Sequence, residues 1–195
     1  MQKPNDYESV QGYGEYTPIE DGGHYLVIKK VEEKSTRNGG TMLTVSFDMD
    51  KNDRQAGYYT TQYKNDKRNP KKWGGVTYVF PFDKEGNTSR QFKTFCTCVE
   101  HSNNAKIAWG AQFNAWFAGK KVGGTFGKEE YMGNDGKVHK ATKLFWFNST
   151  EAIANGVEIP KERTMEPMQQ SFANNEPLEI DDDFSLMADD DDIPF

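Results

Sequence analysis

Residues Tyr63-Lys64-Asn65-Asp66-Lys67-Arg68-Asn69-Pro70-Lys71-Lys72-Trp73 carry five cations in nine consecutive positions, with an aromatic ring at each end. Cations attract phosphates, and flat rings stack on unpaired bases. Interleaving the two on an adaptable loop suits a single nucleic-acid strand better than a duplex, whose bases are already stacked. Tyr63, Lys64, Lys67, Arg68, Lys71, Lys72 and Trp73 are therefore candidate contacts to such a strand, and Lys120 and Lys121 form a second, smaller basic pair. A solvated lysine loop with Trp73 packed in the core is the plainer alternative.

A different chemistry closes the sequence. Asp189, Asp190, Asp191 and Asp192 precede Ile193, Pro194 and Phe195. The aspartates repel a core, and the apolar part is too short to make one. The segment can be buried by a partner that offers a hydrophobic pocket with a basic rim. A solubilising acidic tail accounts for the aspartates but not for Ile-Pro-Phe.

Catalytic and metal readings find little support. Gly-Lys pairs occur at 119, 127 and 136, but none continues to Ser or Thr or follows a glycine at the spacing of a phosphate-binding loop. His24, His101 and His139 are isolated from other ligand types at metal-binding spacing. Asp48, Asp50 and Asp53 imitate a metal site, yet they run into Lys51-Asn52-Asp53-Arg54, which reads as a turn. Cys96 and Cys98, the two cysteines, point different ways on a helix and read as reduced thiols. No enzyme activity, cofactor or metal is expected. There is no apolar run of membrane-spanning length and no signal peptide, so the expected location is the cytoplasm.

Charge divides the chain. Residues 1–163 hold all 24 Lys and Arg with 20 acids, a balance of +4, whereas residues 164–195 hold 10 acids and no base. A basic body suits a polyanion, and an acidic tail suits basic proteins. The domain reading follows: residues 1–162 form one domain, and residues 163–195, rich in Gln, Asn, Pro and acids, form a disordered tail.

The elements that must position these residues are mostly strands. His24 to Val31 reads as a strand after the Gly22-Gly23 turn. In residues 43–50, Leu43, Val45, Phe47 and Met49 alternate with Thr44, Ser46, Asp48 and Asp50, the pattern of a half-buried strand. Ala56 to Tyr63 reads as a third strand with Gly57 as a bulge, and Val76 to Phe82 as a fourth. Thr88 or Ser89 caps a helix with Phe92, Phe95, Cys96 and Val99 on one face. Residues 105–120 are mixed helix and loop. Lys121 to Tyr131 and Val138 to Phe147 form a hairpin around Asn134-Asp135-Gly136. Asn148 or Ser149 then caps a short helix.

Five or six strands with glycine bends and one or two short helices predict a mainly β fold. A five-stranded Greek-key barrel of the oligonucleotide-binding (OB) type fits best; an SH3-like barrel and an α+β meander stay open.

Two resemblances accompany this reading. The Asp-Asp-Asp-Ile-Pro-Phe end resembles the docking tip of bacterial single-stranded DNA-binding proteins, which recruits replication, recombination and repair proteins. The body is similar to phage and prophage single-stranded DNA-binding proteins through Gly14-Glu15-Tyr16, Asn65-Asp66-Lys67-Arg68, Lys72-Trp73-Gly74-Gly75-Val76 and Phe126-Gly127-Lys128-Glu129-Glu130-Tyr131. They imply a phage-encoded protein in a bacterial cytoplasm that coats single-stranded DNA during replication and recombination, and they leave room for a homo-oligomer. An adaptor or annealing accessory, or a DNA-processing enzyme carrying a borrowed tip, are the alternatives.

Overall fold

The structure, a computed structural model, describes residues 2–4, 17–36, 39–133 and 135–165. The docking segment Asp189 to Phe195 and nearly all of the acidic tail lie outside the described residues.

Five strands form one antiparallel sheet: β1 (Gly22–Ser35), β2 (Thr41–Met49), β3 (Val76–Val79), β4 (Lys121–Met132) and β5 (Val138–Asn148), in the order β3-β2-β1-β4-β5. The central strand serves two neighbours with different parts of its length. Gly22 to Val27 pair with β4, and Leu26 to Ser35 pair with β2. The β1–β2 register shifts between Ile28 and Lys30, a bulge that bends the strand where it changes partner.

The apolar side of the alternation expected along β2 is present, but Thr44, Asp48 and Asp50 on the other side are buried as well, so the strand is more enclosed than the half-buried strand expected. Leu43, Val45, Phe47 and Met49 are buried and meet Leu26, Ile28, Val31 and Val79 in the core. Helix α2 (Arg90–Asn103) contributes Phe95, Cys96 and Val99 to the same core. It starts where Ser89 Oγ accepts a hydrogen bond from the Phe92 amide at 3.0 Å, and it ends at Asn104 in the left-handed region. α2 contacts β3, β4 and β5, so it lies across the space between the two ends of the sheet. Among the described residues no ladder joins β3 to β5. The outer edge of β3 is engaged by a side chain instead: Gln91 Nε2 donates to the Tyr78 carbonyl (3.0 Å), and its Oε1 accepts from the Phe80 amide (3.1 Å).

One expected strand is a helix. Ala56 to Tyr63 does not extend the sheet; Tyr58–Asn65 forms α1, entered through Gly57, whose φ of 67° is that of a left-handed turn and not of a bulge. Its start is capped from a distance. Asp48 on β2 accepts hydrogen bonds from the Tyr59 amide (2.9 Å), the Thr60 hydroxyl (2.5 Å) and its neighbour Met49's amide (2.9 Å). Tyr59 then packs its ring edge-on against Phe47, with centroids 5.5 Å apart. Helical segments also exceed the expected one or two: α3 (Phe113–Trp116) and α4 (Thr150–Ala154) join α1 and α2.

Replacing Asp48 with alanine would leave two buried amides and a hydroxyl without their acceptor. A loss of about 2–3 kcal/mol is expected, roughly a 5–10 °C fall in melting temperature for a body of this size. Asp48→Asn retains an acceptor and should lose about half as much. Thermal unfolding followed by circular dichroism reads both values, and equal melting of wild type and Asp48→Ala would show that α1 does not depend on this cap.

Candidate nucleic-acid interface

The face of β1–β2–β3 opposite the core is assembled by cross-strand register. Leu43, Val45 and Val79 point inward, so their neighbours point outward. Pairing then sets Glu32, Thr44 and Tyr78 in one row, and Lys30, Ser46 and Val76 in the next. A third row runs from Lys121 on β4 through Val27 to Asp48. Met42 lies opposite Lys34, and Phe80 continues the alternation of Tyr78. This face mixes rings, small residues, cations and the acids Glu32 and Asp48, with Lys30 paired to Glu32 at 2.7 Å and Thr44 and Asp48 buried, and it brings Lys121 alongside residues far from it in sequence. Tyr78 and Phe80 stand in it as candidate stackers. Lys30 and Lys34 were not legible as site residues, because alternation says which side a residue faces but not which rows are adjacent.

The basic loop runs directly into Val76 and so adjoins the Lys30–Ser46–Val76 row. Asp66 is its organiser. It accepts from the Arg68 and Lys72 amides at 2.9 Å each and holds the Arg68 guanidinium in a fork at 2.8–3.0 Å. The Arg68 hydrogen bonds, with the Lys72 amide, keep the Asp66 carboxyl well below the ordinary carboxylate range, and Asp66 in turn raises Arg68. Arg68 is thus offset by a carboxylate, and Lys64 and Lys67 are exposed. Lys71 Nζ donates to the Lys64 carbonyl (2.9 Å) and lies 5.6 Å from the centroid of the Tyr63 ring, which is itself 39% exposed.

Trp73 sits at the base of the loop. Its Nε1 donates to the carbonyls of Phe47 and Gly75 (3.2 Å each), and its ring packs 5.7 Å from Tyr63 and against the core. Gly75 lies close against β2 and the Tyr59 ring, where a Cβ would stand 2.2 Å from the Phe47 carbonyl oxygen. Trp73 therefore anchors the loop while Tyr63 presents the more open ring.

Lys120 and Lys121 are placed by two devices. The Gly119–Lys120 backbone bonds both polar groups of Ile28 at 2.8 Å, laying this segment along β1. Asn103 clamps the Lys121 backbone, accepting from its amide (3.0 Å) and donating to its carbonyl (2.7 Å). Lys120 Nζ then rests 5.0 Å over the Trp116 ring, and Lys121 Nζ stands 3.7 Å from Asp50.

The cations of the β4–β5 hairpin have a different character. Lys140 pairs with Glu130 (3.4 Å) and Glu162 (2.5 Å), Lys143 with Glu129 (3.2 Å), and Lys128 with Asp21 (3.3 Å). Arg163, at the expected start of the tail, bonds through its backbone to Lys128 and Glu130 and stacks on Phe145 at 3.9 Å. These cations are matched by acids, as Lys30 is by Glu32 (2.7 Å) and Lys121 by Asp50 on the β1–β2–β3 side.

The aspartates that imitate a metal site are occupied by the fold. Asp48 caps α1, and Asp50 accepts from the Asn52 amide. Burial raises the Asp53 carboxyl, but hydrogen bonds from His24 Nδ1 (3.0 Å) and from the Gln55 and Tyr25 amides (2.8 Å each) prevail and hold it below its ordinary value. Among the described residues no cluster of three or more His, Cys, Asp or Glu could hold a metal ion. Burial, helped by Glu100, pushes the Cys96 thiol up to about 12, so it is a packing group at neutral pH. No described helix is long and apolar enough to cross a membrane.

Compared with protein-family models and with curated proteins, the chain matches none.

Proposed function

We propose that this protein binds and protects single-stranded DNA without strong sequence preference, and that it does so without catalysing a reaction. The observation that carries this reading is the outward face of β1–β2–β3: Tyr78, Val76, Lys30 and Lys121 in adjacent rows, with the Tyr63–Lys72 loop at its border. Bases can lie flat on rings only when they are unpaired, and cations beside the rings neutralise the phosphates that follow. The strand order supports a partly open barrel of the OB type. In that architecture the face of the second and third strands, with the loops joining strands 1–2 and 4–5, receives oligonucleotides. Here α2 would fill the gap between β3 and β5.

In the same reading Asp189 to Phe195 recruits replication, recombination and repair proteins to the coated strand, as expected of a phage or prophage protein acting in a bacterial cytoplasm. Two apolar anchors behind an acidic run match a partner pocket with a basic rim.

Binding of labelled single- and double-stranded oligonucleotides across a salt series, with Mg²⁺ present, tests the proposal. Single strands should bind more tightly, stay intact, and lose affinity with a slope of about −0.7 per neutralised phosphate. Preference for duplex, or shortening of the DNA, would refute it.

A further inference from the structure

The bulge in β1 has a side-chain consequence. Alternation puts one outward residue between two inward ones, yet two exposed lysines, Lys29 and Lys30, separate the buried Ile28 and Val31. Ile28 faces Phe47 and Lys30 faces Ser46 across the ladder, so Lys29 is the extra residue, opposite nothing on β2. A bulge re-aims a side chain in this way without breaking the sheet. Lys30 pairs with Glu32 at 2.7 Å, whereas Lys29 has no acidic partner among the described residues.

Lys29 lines an open recess of about 430 Å³ beside Val27, Ala56 and Gly57, and Lys51 lines the same recess from the turn after β2. That turn is firmly held. The Asp50 amide donates to the Tyr25 carbonyl (2.8 Å), the Asp53 amide to the Asp50 carbonyl (2.9 Å), and the Asn52 amide to the Asp50 side chain (3.0 Å). Lys51 is exposed and, like Lys29, has no acidic partner among the described residues. Asp48 and Asp50 also line the recess, but both carboxylates are engaged. Asp48 receives three hydrogen bonds at the start of α1, and Asp50 stands 3.7 Å from Lys121 Nζ. Two unmatched ammonium groups from separate segments thus share one recess whose acids already have partners. Val27 and Asp48 belong to the row that runs to Lys121, so the recess is part of the outward face described above.

We infer that Lys29 and Lys51 form a clamp for one backbone phosphate of the bound strand, seated over Val27 and Gly57. The inference rests on the single-strand reading above and adds to it a fixed phosphate position at the β1–β2 end of the face. An ammonium is a compact charge with three donors, so two of them can share the oxygens of a single phosphate. Neither has to give up an acidic partner to do so.

Titration of a labelled oligothymidine of about 16 nucleotides across a salt series tests it, with Lys29→Gln, Lys51→Gln and the double variant. Losing one neutralised phosphate should lower the logarithmic salt slope by about 0.7, which is about eightfold in affinity at 50 mM salt and about threefold at 200 mM. Because one phosphate needs both lysines, each single substitution should cost nearly as much as the double. Both residues are exposed, so the melting temperature should stay at the wild-type value. Replacing both by arginine keeps the charges and should restore the slope. A double variant that binds like the wild type overturns the inference. A slope change of about 1.4 with losses that multiply also overturns it, assigning the lysines to two separate phosphates. So does a loss of affinity that follows a fall in melting temperature and is not restored by arginine. Failure of the wild type to bind the oligonucleotide at all would refute the single-strand reading itself, an outcome distinct from all of these.

Discussion

Exchanging Lys71 and Lys72 for glutamate together is expected to weaken single-strand binding about 100-fold at low salt and to flatten the salt dependence by about 1.4 in the logarithmic slope. Two phosphates lose their neutralising cations, at about 0.7 each in the slope, and two new anions repel the backbone. These lysines are the sensitive pair because of what the loop does with its other charges. Arg68 is forked to Asp66, while Lys71 lies over the Tyr63 ring beside the open face. The Lys72 backbone is pinned to Asp66 by its amide, so its side chain leaves the loop from a fixed point. Fluorescence anisotropy of one oligonucleotide at four or more salt concentrations reads both quantities. Charge reversal of Lys140, which is paired with Glu130 and Glu162, serves as the contrast and should leave the slope near that of the wild type. An unchanged slope in the Lys71/Lys72 variant would remove the loop from the interface.

Deleting Ile193, Pro194 and Phe195 should abolish capture of DNA-processing partners and leave the melting temperature of the body unchanged. Burying one large apolar side chain is worth about 1.5–3 kcal/mol, so losing the Ile and Phe anchors removes about 4–5 kcal/mol, more than a thousandfold in affinity. Neutralising Asp189 to Asp192 should act differently. Rim charges govern encounter rate and salt sensitivity, so these variants should bind more slowly at low salt and converge on the wild type as salt rises. Pull-down with intact and truncated protein, followed by calorimetry on one captured partner, separates the two effects. Capture that survives the truncation would place docking elsewhere in the chain.

Local sequence signals carried much of the fold. β2 was legible because strict alternation needs no knowledge of neighbours, and Ser89 announced α2 because a cap acts within one turn. Tyr58–Asn65 misled for a physical reason. Tyr58, Tyr59, Thr60 and Thr61 favour strands on propensity, but the helix is decided by Asp48, eleven residues before Tyr59, which caps it, and by Phe47, which receives the Tyr59 ring. Neither partner can be inferred from the segment itself. The candidate interface divides along the same line. Tyr63 and the loop lysines stood out by composition. The rows that set Lys30 beside Val76, and Lys121 beside Val27, required the register of three separate ladders. Asp66 and Arg68 were both visible, yet their fork turns on loop geometry that composition does not encode.

Gln91 has a consequence for how such molecules live together. Its amide satisfies the Tyr78 carbonyl of β3 and the Phe80 amide just past its end, much as a neighbouring strand would. Proteins that line a shared polymer stand shoulder to shoulder at local concentrations far above those in free solution. An open strand edge in such a row would invite neighbours to zip into a continuous, irreversible sheet. If the protein coats single-stranded DNA as proposed, a glutamine posing as a peptide bond would let the bodies crowd along one strand and still come apart when it is needed bare.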